Sequence, residues 1–320
     1  MKKFFSLFAA VGLLSSAAWA AYPDKPVNMI LPTTAGAGWD LAARAVSDKW
    51  SELLGQPFRF AYAPGASGQI ALRQIISGTN EGYEVSVFTP SMVSISMKVQ
   101  PNTPANWTNL AYVGNILAEQ DAVFVHKDSP FKTLKELVDY GREHTLKVST
   151  AHPTAIATLA ALVFIEKTGI KANVVSFNSG GQARKALAGK HVDVCVSSVA
   201  SSMPMKDFFR GLAVFDDKNN AVGIYDMPTM KEALPDIEMP KFLEPFAALV
   251  SKEFKDKHPE DYKKLCDTLK EAHGSAMSAE RAAAMNVNGF MDYWSPEKCE
   301  EFVKDFEKTF DQYEYLIRKK

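Results

Sequence analysis

The apolar positions of this chain fall into short runs, each followed by a Gly- or Ser-containing break and then by apolar residues at helical spacing. Val27–Leu31 reads as a strand. A loop containing Gly36-Ala37-Gly38 separates it from a helix over about Asp40–Leu54, which Gly55 closes as a C-cap. Phe58–Tyr62 predicts a second strand, followed by "APGASGQ" and a helix over Ile70–Ile76. Glu84–Phe88 predicts a third, followed by Thr89-Pro90-Ser91 and another short helix. Strand, short loop and helix in succession predict an α/β fold with right-handed crossovers and a mostly parallel sheet.

Pro101–Trp107 marks a change of register, after which Leu110–Val113 and Ala122–Val125 read as two separate strands. Thr133 with Glu136 three residues on has the spacing of a capping box and starts a helix. A second βα set follows. Leu146–Ser149, "TAHPTA" and a helix over Ile156–Lys167 form one unit. Asn173–Phe177, "NSGG" and a helix over Gln182–Ala188 form the next, with strands at Val192–Ser197 and Leu212–Phe215 beyond. From about Asp261 the pattern is helical and ends in the amphipathic "SPEKCEEFVKDFEKTFDQYEYLIRK".

The chain's start has a different pattern. Lys2 and Lys3 precede an apolar run from Phe4 to Ala18, and Ala18-Trp19-Ala20 is a small-x-small cleavage site. Residues 1–20 therefore read as a cleaved secretory signal peptide, and the run is shorter than the roughly 20 residues a spanning helix needs. No Cys follows it as a lipid attachment point. Removing 20 of 320 residues leaves 300, more than one common domain, so two domains are expected. Lys2 and Lys3 taken from 36 Lys and Arg leave 34 against 37 acidic residues, a balance that offers no footprint for nucleic acid or anionic lipid. Cys195, Cys266 and Cys299 fit no metal spacing. Cys195 reads as a buried apolar residue. Cys266 and Cys299 are candidates for a disulfide in an oxidising compartment, and Cα separation decides whether they pair.

Catalytic and cofactor motifs are thin. Gly36-x-Gly38 opens a helix after a strand, yet Leu41 stands where a dinucleotide site needs a third small residue, and Phe58–Tyr62 ends without an acid. No Gly-Lys-Ser/Thr, Gly-x-Ser-x-Gly or His-Glu-x-x-His is present. Neither a cofactor nor a metal is expected. Of six His (126, 144, 152, 191, 258 and 273), only His152 lies in a loop expected to face a cleft. Asp40 falls in a first helical turn, where a carboxylate suits the helix dipole. What remains is five loops at the C-terminal ends of strands, "TTAGAGW", "APGASG", "TPSM", "STAHPTA" and "NSGG", all free of Lys and Arg. Any one of them serves as a tight turn. Together, at the edge where α/β sheets bind ligands and next to helix N-termini, they suit a small anionic solute between two lobes.

"YPDKPVNMILPTTAGAGWDLAAR", with Pro23, Pro26, Pro32, Gly36 and Asp40, resembles the opening of the receptors of tripartite tricarboxylate transporters, the Bug-type periplasmic solute-binding proteins. "APGASGQIA", "NEGYEVSVF", "FKTLKELVDYGREH", "AGKHVDV" and "MPTMKEALPDIE" are similar to later family segments in the same order, from about Ala21 to the C-terminus. The resemblance implies a two-lobed periplasmic binding protein fold, type II-like. Residues 21–117 and 245–320 would form one lobe and residues 118–244 the other. It implies a non-enzymatic monomer that takes a small organic acid and hands it to a membrane permease. Carried over, the first lobe's contacts are Thr33, Thr34, Ala35, Gly36, Gly38, Trp39, Ser67, Thr89 and Ser91. Those of the second are Ser149, His152, Pro153, Thr154, Ala155, Asn178, Ser179 and Gly180.

The chain departs from the family pattern at several places. His152-Pro153 stands in a loop that is usually Gly- and Ser-rich, and Phe177-Asn178-Ser179 replaces Tyr-Lys-Gly. Ser67 replaces a Gly, Trp39 a small or hydroxyl residue, and "AALVSKEF" an Ala-Pro segment. If Trp39 and His152 face the cleft, they favour an acid with an apolar or aromatic body, its carboxylate on backbone N–H groups near Thr154 and Ala155. Otherwise Trp39 packs under its helix and His152 caps a turn. A secreted hydrolase using His152 with a nearby hydroxyl, or a lobe adapted to a protein partner, are the competing expectations.

Overall fold

A computed structural model describes residues 22–318 except 79, 80 and 101. The expected signal peptide lies outside the described residues. The first half runs β1 (Val27–Leu31), α1 (Gly38–Leu54), β2 (Phe58–Tyr62), α2 (Gln69–Ile76), β3 (Glu84–Phe88) and α3 (Pro90–Val99). A long strand, β4 (Leu110–His126), leads to α4 (Leu134–Glu143), β5 (Leu146–Thr150), α5 (Ile156–Thr168), β6 (Ala172–Ser176) and α6 (Gly180–Ala188). Next come β7 (Val194–Ser198), α7 (Val199–Ser202), β8 (Phe209–Val214), α8 (Met230–Ala233) and β9 (Leu243–Ser251). The chain ends with α9 (Lys252–Lys257), α10 (Pro259–His273), α11 (Ala276–Ala284), β10 (Met291–Trp294) and α12 (Pro296–Arg318).

The parallel pairs are those of the βα units, β1 with β2 and β3, and β5 with β6 and β7. Between them β4 runs antiparallel to β7, β8, β9 and β10, and β3 runs antiparallel to β9, so the sheet is mixed. β4 is one strand where the pattern predicted two. Its first part, Leu110–Gln120, pairs with β9, and Asp121–His126 pairs with β7 and β8. Glu119, Gln120 and Asp121 interrupt the apolar pattern at the change of partner, yet all three are fully buried. β9 also escaped the pattern reading, because its run of buried positions resembles an apolar helix segment as much as a strand covered on both faces.

Local signals hold where the sequence marks them. Gly55 takes a left-handed φ of 78° after α1. Thr133 Oγ1 accepts the Glu136 N–H at 3.2 Å while the Glu136 carboxylate accepts the Thr133 N–H at 3.3 Å, closing the capping box of α4. Asp40 is structural: its carboxylate accepts the Gly36 N–H at 2.8 Å, Arg44 Nε at 3.0 Å and the Tyr62 hydroxyl at 2.9 Å. Cys195, Cys266 and Cys299 are free buried thiols, so the 266–299 pair is not formed.

α10 and α11 pack on α1, where Trp50 Nε1 donates to Thr268 Oγ1 at 3.1 Å and Arg281 pairs with Asp48 at 2.5 Å. α12 lies along both lobes. Cys299 and Val303 join the core beneath α3, whereas Phe306 and Phe310 join the core of α5. Lys98 with Asp311 and Tyr315 with Glu166 tie the same helix to each side. Phe310 is fully buried in this bridge. Phe310→Ala is expected to cost about 3–5 kcal/mol, the usual range for an aromatic side chain removed from a core. Urea unfolding followed by far-UV circular dichroism checks it.

Candidate functional site

The two βα sets face each other across a cavity of about 660 Å³, the size of a small-molecule site. A second depression of about 340 Å³ lies along α2 and the Ala66 loop before it. It lies within one lobe and gathers no residues from the other, so the interlobe cavity is the candidate site.

From the first lobe, Thr33, Thr34, Gly38, Trp39 and Ser67 line the interlobe cavity. His152, Pro153, Ala155, Asn178, Ser179 and Gly180 line it from the second. The other six expected residues are not part of that surface. Ala35 and Gly36 shape the turn before α1, where Gly36 takes φ 80° and gives its N–H to Asp40. Thr89 is buried and its hydroxyl accepts the Trp39 indole N–H at 3.0 Å. Ser91 is buried, and its hydroxyl has no hydrogen-bond partner among the described residues. Ser149 donates to the carbonyls of Ala183 and Val194, anchoring α6 to β5. Thr154 is buried beside His152, its Oγ1 3.3 Å from Nδ1. The Ala155 N–H, expected to hold a carboxylate, donates instead to the His152 carbonyl at 2.9 Å, because the loop closes a turn before α5 begins.

Two positions in the lining are fixed by close approach. A Cβ on Gly38 would stand 2.7 Å from Ser201 Oγ and 3.0 Å from the Phe246 ring, so only Gly lets the start of α1 meet α7. A Cβ on Gly68, at φ 86°, would stand 2.5 Å from the Phe88 ring. Phe88 in turn packs 5.0 Å from the Trp39 ring, and Phe246 lies 6.2 Å from it. Held by Thr89 and these rings, Trp39 forms an apolar wall of the cavity.

Sequence reading missed the charged part of the lining. Arg184 stands four residues beyond Gly180 on α6, and a helical side chain leans toward its helix N-terminus. Its Nη1 therefore reaches back over Gly180 and donates to Ser197 Oγ at 2.9 Å. Glu244, the second residue of β9, also lines the cavity, near the Ala157 N–H in the first turn of α5. In the β4–β9 register Glu244 is paired with Glu119, so the two carboxyl groups share one face of the sheet. Glu119 accepts the Ser201 N–H at 3.4 Å and its hydroxyl at 3.3 Å.

The titration of these groups follows from burial. Glu119 is raised by burial, against the pull of Ser198, Arg184 and Ser201. Glu244 is pushed up to about 8, by burial first and by Glu119 second. Asp121 is raised well above the usual carboxylate range by burial, Glu244 and Glu119, and neither of its oxygens has a hydrogen-bond partner among the described residues. Burial lowers Arg184 while Cys195, Glu119 and Glu244 oppose that, and a guanidinium stays charged in either case. His152 is lowered to about 4 by burial.

A two-lobed α/β frame with a closed-in cavity at the strand ends is the frame of a solute-binding protein. Residues 42–319 match the family model described as "Tripartite tricarboxylate transporter family receptor", and the chain belongs to that family. It is 27% identical over 235 residues, 70% of either chain, to a UPF0065 protein in the gbd 5′ region of Cupriavidus necator. Among solved structures it is similar to Rpa4515 of R. palustris with adipate, at TM-score 0.81 and 20% identity over 92% of this chain and 98% of that one. It is also similar to MatC of Rhodopseudomonas palustris with bound malate, at TM-score 0.75 and 18% identity over 92% and 100%.

With burial lowering it to about 4, the His152 ring is neutral at ordinary pH. Its folded pKa lies below the model-peptide value of about 6.5, so the unfolded chain takes up the proton first as pH falls. The stability this ring contributes is complete above about 6.5 and is lost as pH falls toward about 4. An NMR titration of the imidazole C–H resonances is expected to show no His152 transition between pH 5 and 8. His152→Gln should remove up to one proton of linkage from the acid limb of a stability–pH curve.

Proposed function

We propose that this receptor captures a small organic carboxylate in the interlobe cleft, in the periplasm, and delivers it to the membrane subunits of a tripartite tricarboxylate-type permease. The observation that carries the reading is the cavity itself. Uncharged loops surround it, and among the described residues lining it Arg184 is the one permanent cation. Most of that guanidinium's donors are free to meet a carboxylate in the planar, two-pronged way that Arg favours. Proteins of similar fold with adipate and with bound malate support a dicarboxylate-sized ligand. We assign residues 21–117 with 245–320 to one lobe and 118–244 to the other. The strands that cross between them, β4 and the start of β9, act as the hinge.

Export rests on the N-terminal pattern of residues 1–20, and among the described residues no helix is long and apolar enough to cross a membrane. A hydrolytic role for His152 would require an orienting group and a ring basic enough to take a proton. Its side chain meets only the Thr154 hydroxyl among the described residues, and burial keeps the ring a weak base.

Native mass spectrometry of the purified protein, with a thermal-shift panel of linear and aromatic acids, tests the reading. An acid at a hundredfold excess over its Kd should stabilise the fold by about 2.7 kcal/mol. Arg184→Gln should abolish that shift. Trp39→Ala should weaken binding of long or bulky acids by about tenfold, through lost apolar contact, and of four-carbon acids less. A melting temperature indifferent to every acid would overturn the proposal.

A further inference from the structure

Arg184 and Glu244 line one cavity from different elements, and neither forms an ion pair with the other among the described residues. Glu244 faces Glu119 across the β4–β9 register, and Asp121 lies two residues further along β4. Glu119 has the donors of Ser201. Glu244 has the Ala157 N–H beside it and lines the cleft. Glu244 in the lining thus adjoins two further buried carboxyl groups on β4, against a single lining guanidinium that already gives one N–H to Ser197. A ligand bearing carboxylates alone would add negative charge beside Glu244. A ligand that also carries a cation would supply the missing partner, since a buried carboxylate needs a counter-charge or a proton.

We infer that the cleft is built for an amphoteric ligand, a small carboxylic acid bearing a protonated amine, with its carboxylate on Arg184 and its ammonium on Glu244. The inference rests on the carboxylate-receptor reading and narrows it. Trp39 and Phe246 then flank the carbon skeleton, so the ligand meets an apolar wall between two charged ends. Asn178 and Ser179 add uncharged hydrogen-bonding groups on the second lobe's side.

The opposite use of the same residue gives an opposite pH dependence. A protonated Glu244 would donate to a second ligand carboxylate, and binding would weaken as pH rises from 6 to 8. An ammonium requires the carboxylate form, so its binding strengthens over that interval and expels a proton. The other charged groups facing Glu244 are Glu119 and Asp121 from β4 and Arg184 from α6. The cavity's own His152 is already neutral at pH 6 because burial lowers it to about 4, and Arg184 stays charged throughout.

Isothermal titration with matched pairs, succinate with aspartate, glutarate with glutamate and adipate with 2-aminoadipate, in two buffers of different ionisation enthalpy, tests the inference. The amine-bearing member of at least one pair should bind roughly tenfold to a hundredfold tighter, the weight of a hydrogen bond to a charged group. Proton release should accompany it below pH 8. Glu244→Gln, nearly isosteric, should erase both the preference and the proton release. Circular dichroism of the variant confirms its fold, and Glu244→Asp should retain part of the preference. Plain diacids that bind as well as their amine partners, or better at pH 6 than at pH 8, would overturn the inference and leave the carboxylate receptor standing. A panel in which no member binds would overturn both.

Discussion

β4 carries Glu119, Gln120 and Asp121, three side chains with no solvent exposure, at the point where its partners change from β9 to β7 and β8. An ionised carboxylate placed there alone would cost many kcal/mol, so each group must find a partner or keep a proton. Gln120 does the first: its amide donates to Asp216 and to the Lys218 carbonyl, and its oxygen accepts the Asn220 N–H. Glu119 draws on Ser201. Asp121, with neither oxygen partnered among the described residues, has its carboxyl raised well above the usual carboxylate range, which favours the protonated form. This strip fixes how the second lobe's loops sit against the first. The Gln120 network holds the segment after β8, and Glu119 holds the start of α7 against Gly38. A strand shared by two lobes also makes their relative motion a bend at a few residues, which is the geometry of a hinge.

The βα units were legible because their apolar runs, loops and caps agree with one another. Thr133 with Glu136 and Gly55 after Leu54 are local devices, and the fold uses both. β4 was not legible as one strand. Hydrophobic periodicity reads burial from apolar side chains, and Glu119-Gln120-Asp121 is buried through long-range partners such as Ser201 and Asn220. The cleft was half legible. Reading loops at the C-terminal ends of strands found Trp39, His152 and Asn178 in the lining, along with Thr89 and Ser149 one layer behind. It missed Arg184 because that residue lies a full helical turn past its loop. A search extended to i+4 from each loop's last residue would have reached it. Glu244 carried no local signal, since its place in the cleft comes from pairing with Glu119, 125 positions earlier in the chain.

The site's chemistry is divided among elements in a way that ties recognition to closure. The first lobe contributes Trp39 on the first turn of α1, and the second contributes Arg184 on α6 and His152 before α5. Glu244 sits where β9 leaves the crossing between them. A ligand that satisfies only the aromatic wall leaves the guanidinium unmatched, and one that satisfies only the guanidinium leaves the wall facing water. A solute long enough to meet both gains its full contact energy only when the lobes are together, so it binds the closed form better than the open one. That difference in affinity is the sole means by which a ligand shifts such an equilibrium. On the proposed reading, the groups that would identify the solute are therefore the same groups that would hold the lobes together.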